Sequence, residues 1–244
     1  MPDPALVTLT WRVVKRRLAA SRAAIAAALL FPGLVALIGL RDSYAAGMKF
    51  FLFFFPHAFL VAAQDMVRTD IDGGALENVL FLAGRFRGFL RAKSLVLAAA
   101  LGAYSAGLFA LLAVWGAADG GFKPAYAIQF GLGLLAGLYY VALAGTLSYF
   151  LKAGSNAAAI LLGQAAVVVA LLFSVTSRTG FLDHAIAGRF PGPGPALLFG
   201  GLVAVLPNVI VSPKVSVFGA EVLAGLVLAL FVQGRLVRRL ELRK

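Results

Sequence analysis

The chain has 244 residues, of which 61% are hydrophobic and only 13% are charged. A soluble domain carries about 25% charged residues, so this composition excludes an ordinary soluble globular protein. The formal net charge of +12 would suit a nucleic-acid-binding protein, but the basic residues stand at the ends of apolar runs, where membrane topology places them. The absence of cysteine excludes disulfides, thiolate metal sites and cysteine nucleophiles.

The first 22 residues form a basic, amphipathic lead-in. Asp3 and Pro4 suit the cap and the first position of a helix. One apolar stripe follows at helical spacing, made of Val7, Trp11, Val14 and Leu18. The pattern predicts a helix that lies in the membrane interface, with its basic side chains near anionic headgroups. A basic segment that only sets the topology is the alternative.

Six apolar runs are long enough to cross a membrane, since a spanning helix needs about 20 mostly apolar residues. They cover residues 23–40, 47–67, 94–115, 125–151, 157–175 and 216–234. A shorter run at 196–211 contains Pro207 and Asn208 and is predicted to be re-entrant or interfacial. The sequence therefore predicts an all-α integral membrane protein, with a lead-in at 1–22 and a six-span domain at 23–244.

The distribution of Lys and Arg predicts the orientation. If the N-terminus is inside, most of the 22 basic residues fall in cytoplasmic segments, as the positive-inside rule requires. An even number of spans then keeps the basic C-terminus inside as well. We expect a multi-pass protein of the cell's inner (cytoplasmic) membrane, surrounded by lipid, with both termini in the cytoplasm and no nucleic-acid partner.

The insert at 68–93, between the second and third spans, is more than a turn. Leu76, Val79 and Leu80 share one face of a short helix-compatible run, and Gly84 breaks that run. The apolar face of such a helix can enter a groove on a soluble partner. A loop that lies on the lipid headgroups is the alternative.

This insert resembles the matching segment of permease subunits of the type-2 ABC exporter family. The resemblance rests on Asp70, Asp72, Gly73, Gly74, Leu76, Glu77, Val79, Leu80, Arg85 and Lys93. The chain departs from the family pattern at Ala75, where Thr is usual, at Ala83 and Gly84, where Pro is common, and at Ala92, where Gly is usual. The order of lead-in helix, six spans and re-entrant segment also agrees with the family.

The resemblance implies one half of a transmembrane pore that works as a homodimer or heterodimer and exports a hydrophobic or lipid-like solute. A separate ABC ATPase would hold ATP and magnesium, so we expect no catalytic residue, cofactor or metal on this chain. The chain also lacks G-x-x-x-x-G-K-[ST]. The insert would be the coupling helix, and a second coupling point would follow span four. The implied ATPase contacts are Leu76, Glu77, Val79, Leu80, Arg85 and Lys152.

Polar side chains within the apolar runs are candidates for the substrate path, because such groups are costly in lipid. They are His57, Gln64, Asp65 and Glu221. The alternatives are a hydrogen bond from His57 to a neighbouring helix and pairing of Asp65 with Arg68. We expect interhelical hydrogen bonds from Gln129, Asn156, Gln164 and Gln233.

Two patterns concern packing. The small-residue pairs Gly133–Gly137 and Gly102–Ala106 predict close helix contacts. The five phenylalanines between residues 50 and 55 are expected to face lipid or the interface, with a surface for an apolar substrate as the alternative.

Two other functions remain open. One is a substrate-binding membrane subunit of an energy-coupled uptake system, and the other is a membrane assembly scaffold without transport. The coupling-type insert argues against the first, and stable association without an ATPase would favour the second. A membrane enzyme is disfavoured because the sequence has no metal-ligand cluster, paired carboxylates or nucleophile elbow.

Overall fold

The computed structural model describes residues 4–20, 22–64, 66–68, 86–151, 155–176 and 215–241. Within these ranges the chain is all-helical, as predicted. The helices are α1 (Pro4–Ala20), α2 (Arg22–Arg41), α3 (Tyr44–Ala63), α4 (Phe86–Ala118), α5 (Ala125–Leu147), α6 (Ser155–Thr176) and α7 (Val215–Glu241).

Several predicted features lie outside the described residues. They are the six coupling contacts Leu76, Glu77, Val79, Leu80, Arg85 and Lys152, the carboxyl of Asp65, the run at 196–211, and the side chain of Glu221.

Three of the described helices, α3, α4 and α5, are long and apolar enough to cross a membrane, and α2 contains the shorter apolar stretch Ile25–Arg41. These helices indicate a membrane-associated protein. Helix α4 has 33 residues, or about 50 Å at 1.5 Å per residue. The hydrocarbon core of a bilayer is about 30 Å thick, so α4 is longer than the apolar layer.

The helix ends lie at two levels. Helices α3, α5 and α7 end at one level, where α4 and α6 begin; hydrogen bonds and side-chain contacts described below join these ends. This level is called the basic end, after Arg68, Arg87, Arg91, Lys93, Arg235, Arg238 and Arg239. At the opposite level α2 ends and α3 begins, where the Ser43 hydroxyl accepts a hydrogen bond from the Ala46 amide at 3.2 Å and caps α3.

Helices α3 and α5 approach each other closely because α5 has glycines, which lack a side chain, at the contact. A Cβ atom on Gly133 would lie 2.4 Å from Phe55 Cζ, and one on Gly137 would lie 2.9 Å from the Phe59 ring. The predicted close contact at Gly133–Gly137 is confirmed. No such contact is made by Gly102 within the described part of the chain, where no atom lies within 4 Å of a Cβ placed there.

An aromatic core fills the space between α3, α4 and α5. Phe51 and Phe55 are 0% and 1% exposed, and their stacked rings have centroids 5.1 Å apart. Phe109 of α4 stacks on Phe130 of α5 at 4.4 Å. The expectation that these phenylalanines face lipid or the interface is wrong for Phe51 and Phe55, whereas Phe54 is 42% exposed. Lipid and protein core are equally apolar, so hydropathy does not distinguish the two faces of a spanning helix.

Helix α1 packs on the start of α4, where a Cβ on Gly88 would lie 3.6 Å from Leu6 Cδ2. Its buried side chains are Thr10 and Val14, whereas Trp11 is 45% exposed. Of the stripe predicted to lie in the membrane interface, Val14 is therefore packed against protein, whereas Trp11 stays exposed. Thr10 tolerates burial because its hydroxyl donates to the Leu6 carbonyl at 2.6 Å.

Candidate functional site

At the basic end, the side chain of Asn156 joins two other helices. Asn156 lies in the first turn of α6 and is fully buried. Its Nδ2 donates to the Gln64 carbonyl at 3.0 Å and to the Ala144 carbonyl at 2.7 Å. The last carbonyls of a helix have no partner within that helix. Asn156 therefore satisfies the end of α3 and simultaneously fastens it to α5.

Lys93 reaches the same place from α4. It is 6% exposed, and its Nζ donates to the Met66 carbonyl at 2.7 Å. The Phe89 ring lies below the ammonium group, with its centroid at 5.8 Å. A cation beside the carboxyl end of a helix is favourable because it faces the negative end of the helix dipole. The positive-inside pattern placed Lys93 at this end but did not predict that it is buried.

Ser148 completes the set at the end of α5. Its hydroxyl donates to the Gly145 carbonyl at 2.8 Å and accepts from the Val67 amide at 3.3 Å. Lys93, Ser148 and Asn156, with the backbone of residues 64–67, are called the polar junction. The segments at 69–85 and 152–154 both begin close to the polar junction in sequence. The first begins two residues after Val67, and the second begins four residues after Ser148.

A second polar cluster lies within the spans and contains His57. Its Nδ1 lies 3.1 Å from the Phe53 carbonyl, and its Nε2 lies 3.1 Å from Oε1 of Gln164 in α6. Nε2 of Gln164 donates to the Tyr140 hydroxyl of α5. Gln164 is 7% exposed and Tyr140 is fully buried. The cluster joins α3, α5 and α6 about two helical turns away from the polar junction, since His57 precedes Gln64 by seven residues.

Two proton arrangements satisfy this cluster. With the Gln164 oxygen facing the imidazole, both ring nitrogens of His57 must carry protons, because both then face acceptors. Rotating the Gln164 amide by half a turn exchanges its oxygen and nitrogen at almost unchanged shape. His57 is then neutral with its proton on Nδ1, the amide donates to Nε2, and the Tyr140 hydroxyl donates to the amide oxygen.

The structure brings together some of the predicted polar residues. His57 makes the interhelical hydrogen bond given as its alternative role, and the predictions for Asn156 and Gln164 are confirmed. Gln64 takes part through its backbone carbonyl. Gln233 is buried, but its Nε2 has no hydrogen-bond partner in the described part of the chain.

Sequence reasoning missed Tyr140 and Ser148. Each stands in or beside an apolar run as a single hydroxyl, and its partner is distant in sequence: Ser148 contacts Val67 at a separation of 81 residues. The only signal was that a buried hydroxyl needs a partner. That signal does not identify which helix supplies it.

In the ranges that the structure covers, no group of three His, Cys, Asp or Glu side chains could hold a metal ion. No protein-family model matches the sequence, and no curated protein matches it. Function therefore has to be argued from the chemistry of the polar junction and the intramembrane cluster.

Proposed function

We propose that this chain is the permease subunit of an ABC exporter. It crosses the inner membrane six times with both termini in the cytoplasm, pairs with a second permease chain, and takes its energy from a separate ABC ATPase. The ATPase docks on the insert at 69–85 through the face of Leu76, Val79 and Leu80, and on the loop at 152–154. The solute is hydrophobic or lipid-like.

The polar junction is the observation that carries this proposal. The segment at 69–85 connects the end of α3 to the start of α4. The hydrogen bond from Lys93 of α4 to the Met66 carbonyl joins the chain on either side of this segment. The loop at 152–154 connects α5 to α6, and Asn156, two residues after it, donates to the Gln64 carbonyl. A force applied to either segment therefore acts on four helices through hydrogen-bonded contacts.

The charge distribution supports the orientation. The basic end carries arginines on α4 and α7, and α1 adds the exposed residues Arg12, Lys15 and Arg16 at the same end of α4. Basic residues beside spans favour the cytoplasmic side. The two docking segments leave the bundle at this end, where a soluble ATPase could reach them.

The solute path runs beside the intramembrane cluster. His57 and Gln164 give it hydrogen-bonding groups, and we expect Gln64, Asp65 and Glu221 to line it as well. Polar groups at this depth are costly when they face lipid. Side chains that line the path contact water or solute instead when the path opens.

Capture of the ATPase tests the proposal. The chain is co-expressed with ABC ATPase subunits of its source organism and purified through its own tag. Leu80→Arg puts a charge on the proposed docking face, whereas Asn78→Arg puts the same charge on the opposite face of the same predicted turn. The ATPase should copurify with the native chain and with Asn78→Arg, but not with Leu80→Arg.

The outcomes separate the function from the site. An ATPase that stays bound to Leu80→Arg would show that the docking face is wrong while the permease function stands. If no ATPase copurifies with the native chain under any condition of nucleotide, the exporter proposal fails and an assembly scaffold becomes the better account.

A further inference from the structure

A cleft lies at the basic end between the start of α4 and the end of α7. Its volume is about 170 Å³, and its lining residues are Arg87, Leu90, Arg91, Leu230, Gln233, Gly234 and Val237. Sites that enclose a drug-sized ligand measure about 300–1,000 Å³. This cleft is therefore suited to a small group and not to a whole large solute.

The cleft is built for an anion. Arg87 and Arg91 are four residues apart, so they lie on one face of α4. Both stand in the first turns of that helix, where the helix dipole adds positive potential. No carboxylate is among the lining residues. Gly234 and the Arg87 guanidinium are neighbours, since a Cβ on Gly234 would make an ordinary contact of 3.6 Å with Arg87 Nη2.

Gln233 forms part of the cleft wall, but its amide nitrogen does not face the cleft. The residue lines the cleft and is only 8% exposed. Its Nε2 is packed against α5, since a Cβ on Gly145 would lie 2.6 Å from it, and Gly145 is not a lining residue. The charged groups that an anion in the cleft would meet are therefore the arginines of α4.

An exposed apolar stripe leads away from the cleft along α7. Leu223, Val227 and Leu230 are 52%, 61% and 51% exposed, and their spacing of four and three residues places them on one face. Leu230 belongs to both the stripe and the cleft. An anion in the cleft could therefore carry an acyl chain that lies on this stripe, which favours a lipid over free phosphate.

We propose that the cleft binds the phosphate of an anionic phospholipid, with the headgroup at Arg91 and an acyl chain along Leu223, Val227 and Leu230. Basic pockets between membrane helices are suited to anionic headgroups. The cleft lies where the apolar run of α7 gives way to Arg235, Arg238 and Arg239, which is the depth of a headgroup. This site does not depend on the exporter function.

Thermal unfolding of the full chain in a neutral detergent tests the site. The probes are short-chain phosphatidylglycerol, phosphatidylcholine with the same acyl chains, and inorganic phosphate. Binding to the folded state alone raises the unfolding temperature. We expect a saturable rise with phosphatidylglycerol at concentrations where phosphatidylcholine and inorganic phosphate have little effect.

Matched variants locate the binding. Arg91→Gln should weaken the apparent affinity about fivefold, the effect of about 1 kcal/mol per basic residue. Arg238→Gln removes the same charge from the same end but outside the cleft, and should leave the affinity nearly unchanged. Gly234→Leu should block the cleft without changing the charge, with Gly234→Ala as its control.

Three results would overturn the proposal. Equal stabilisation by phosphatidylcholine would remove the need for an anion, and equal stabilisation by inorganic phosphate would remove the acyl chain. Equal losses in Arg91→Gln and Arg238→Gln would mean a diffuse charge effect. If an arginine variant does not fold, Gly234→Leu against Gly234→Ala decides the question alone.

Discussion

Asn156 and Gln64 are joined by a hydrogen bond of 3.0 Å although 92 residues separate them in the chain. The same Asn156 amide binds the Ala144 carbonyl at 2.7 Å. One side chain thus fixes the starting point of α6 relative to the ends of α3 and α5. Two elements that reach the basic end from different parts of the sequence cannot move independently there.

The first prediction concerns Asn156. Asn156→Ala removes both hydrogen bonds and leaves the Gln64 carbonyl buried without this donor, so we expect a loss of about 1–2 kcal/mol in the free energy of unfolding. Ser155→Ala, at an exposed neighbouring position, should change it by less than about 0.5 kcal/mol. Denaturant titration in mixed micelles measures both. Equal losses would show that the interhelical bonds carry no stability.

The second prediction concerns the ammonium group of Lys93. Lys93→Met keeps the aliphatic stem but removes the charge-assisted bond to the Met66 carbonyl, so unfolding should become easier by about 1.5–3 kcal/mol. The exposed Lys49 of α3 gives the matched control, Lys49→Met, which should be close to neutral. A more stable Lys93→Met protein would mean that desolvating the ammonium group costs more than its bonds return.

The third prediction concerns the bare backbone of α5. Gly133→Ala places a methyl group within 2.5 Å of the Phe55 ring, which is packed on Phe130 with centroids 5.1 Å apart. Overpacking should cost about 1–3 kcal/mol. Gly131→Ala, on the same helix with no atom within 4 Å, should cost nothing.

A compensating change distinguishes overpacking from an intrinsic helix effect. Phe55→Leu shortens the side chain that the methyl group of Gly133→Ala would press against. The stability lost by the double variant should therefore be less than the sum of the losses of the two single variants. Additive losses would show that the methyl group does not press on this ring.

The fourth prediction concerns the proton on His57. Because the Phe53 carbonyl can only accept, the neutral imidazole should carry its proton on Nδ1 and accept from Gln164 at Nε2. Nitrogen chemical shifts of labelled histidine in liposomes report the tautomer, and His184→Gln removes the only other histidine signal. Gln164→Leu should remove the preference. A neutral Nε2–H form in the native protein would contradict this arrangement.

Much of the helical arrangement was predictable, and most of the side-chain partners were not. The apolar runs predicted helices at nearly the observed places, because each run reflects a local requirement of the bilayer. The burial of Phe51 and Phe55 was not predictable, since lipid and protein interior are alike to an apolar side chain. The apolar stripe of α1 did not show that Val14 packs against protein while Trp11 stays exposed, and Thr10 tolerates burial by bonding to its own helix.

The candidate site shows the same division. His57 stood out as an ionisable residue in an apolar run, but its partner Gln164 lies 107 residues away, and no periodicity connects the two. Lys93 was one of many basic residues at span ends. The number of these residues on each side predicted the orientation, but it did not show that Lys93 binds the Met66 carbonyl after α3. Pairings of this kind depend on how helices pack, which a single sequence does not contain.

The long separations within the polar junction have a consequence for biogenesis. The chain is made from its N-terminus, so α3 and α4 are synthesised before Ser148 and Asn156 exist. Until Asn156 of α6 is made, the Gln64 carbonyl has to rely on water or lipid headgroups for this hydrogen bond. A nascent chain that stops at residue 151 is thus an incompletely closed bundle, and it would be a natural substrate for membrane chaperones and quality-control proteases.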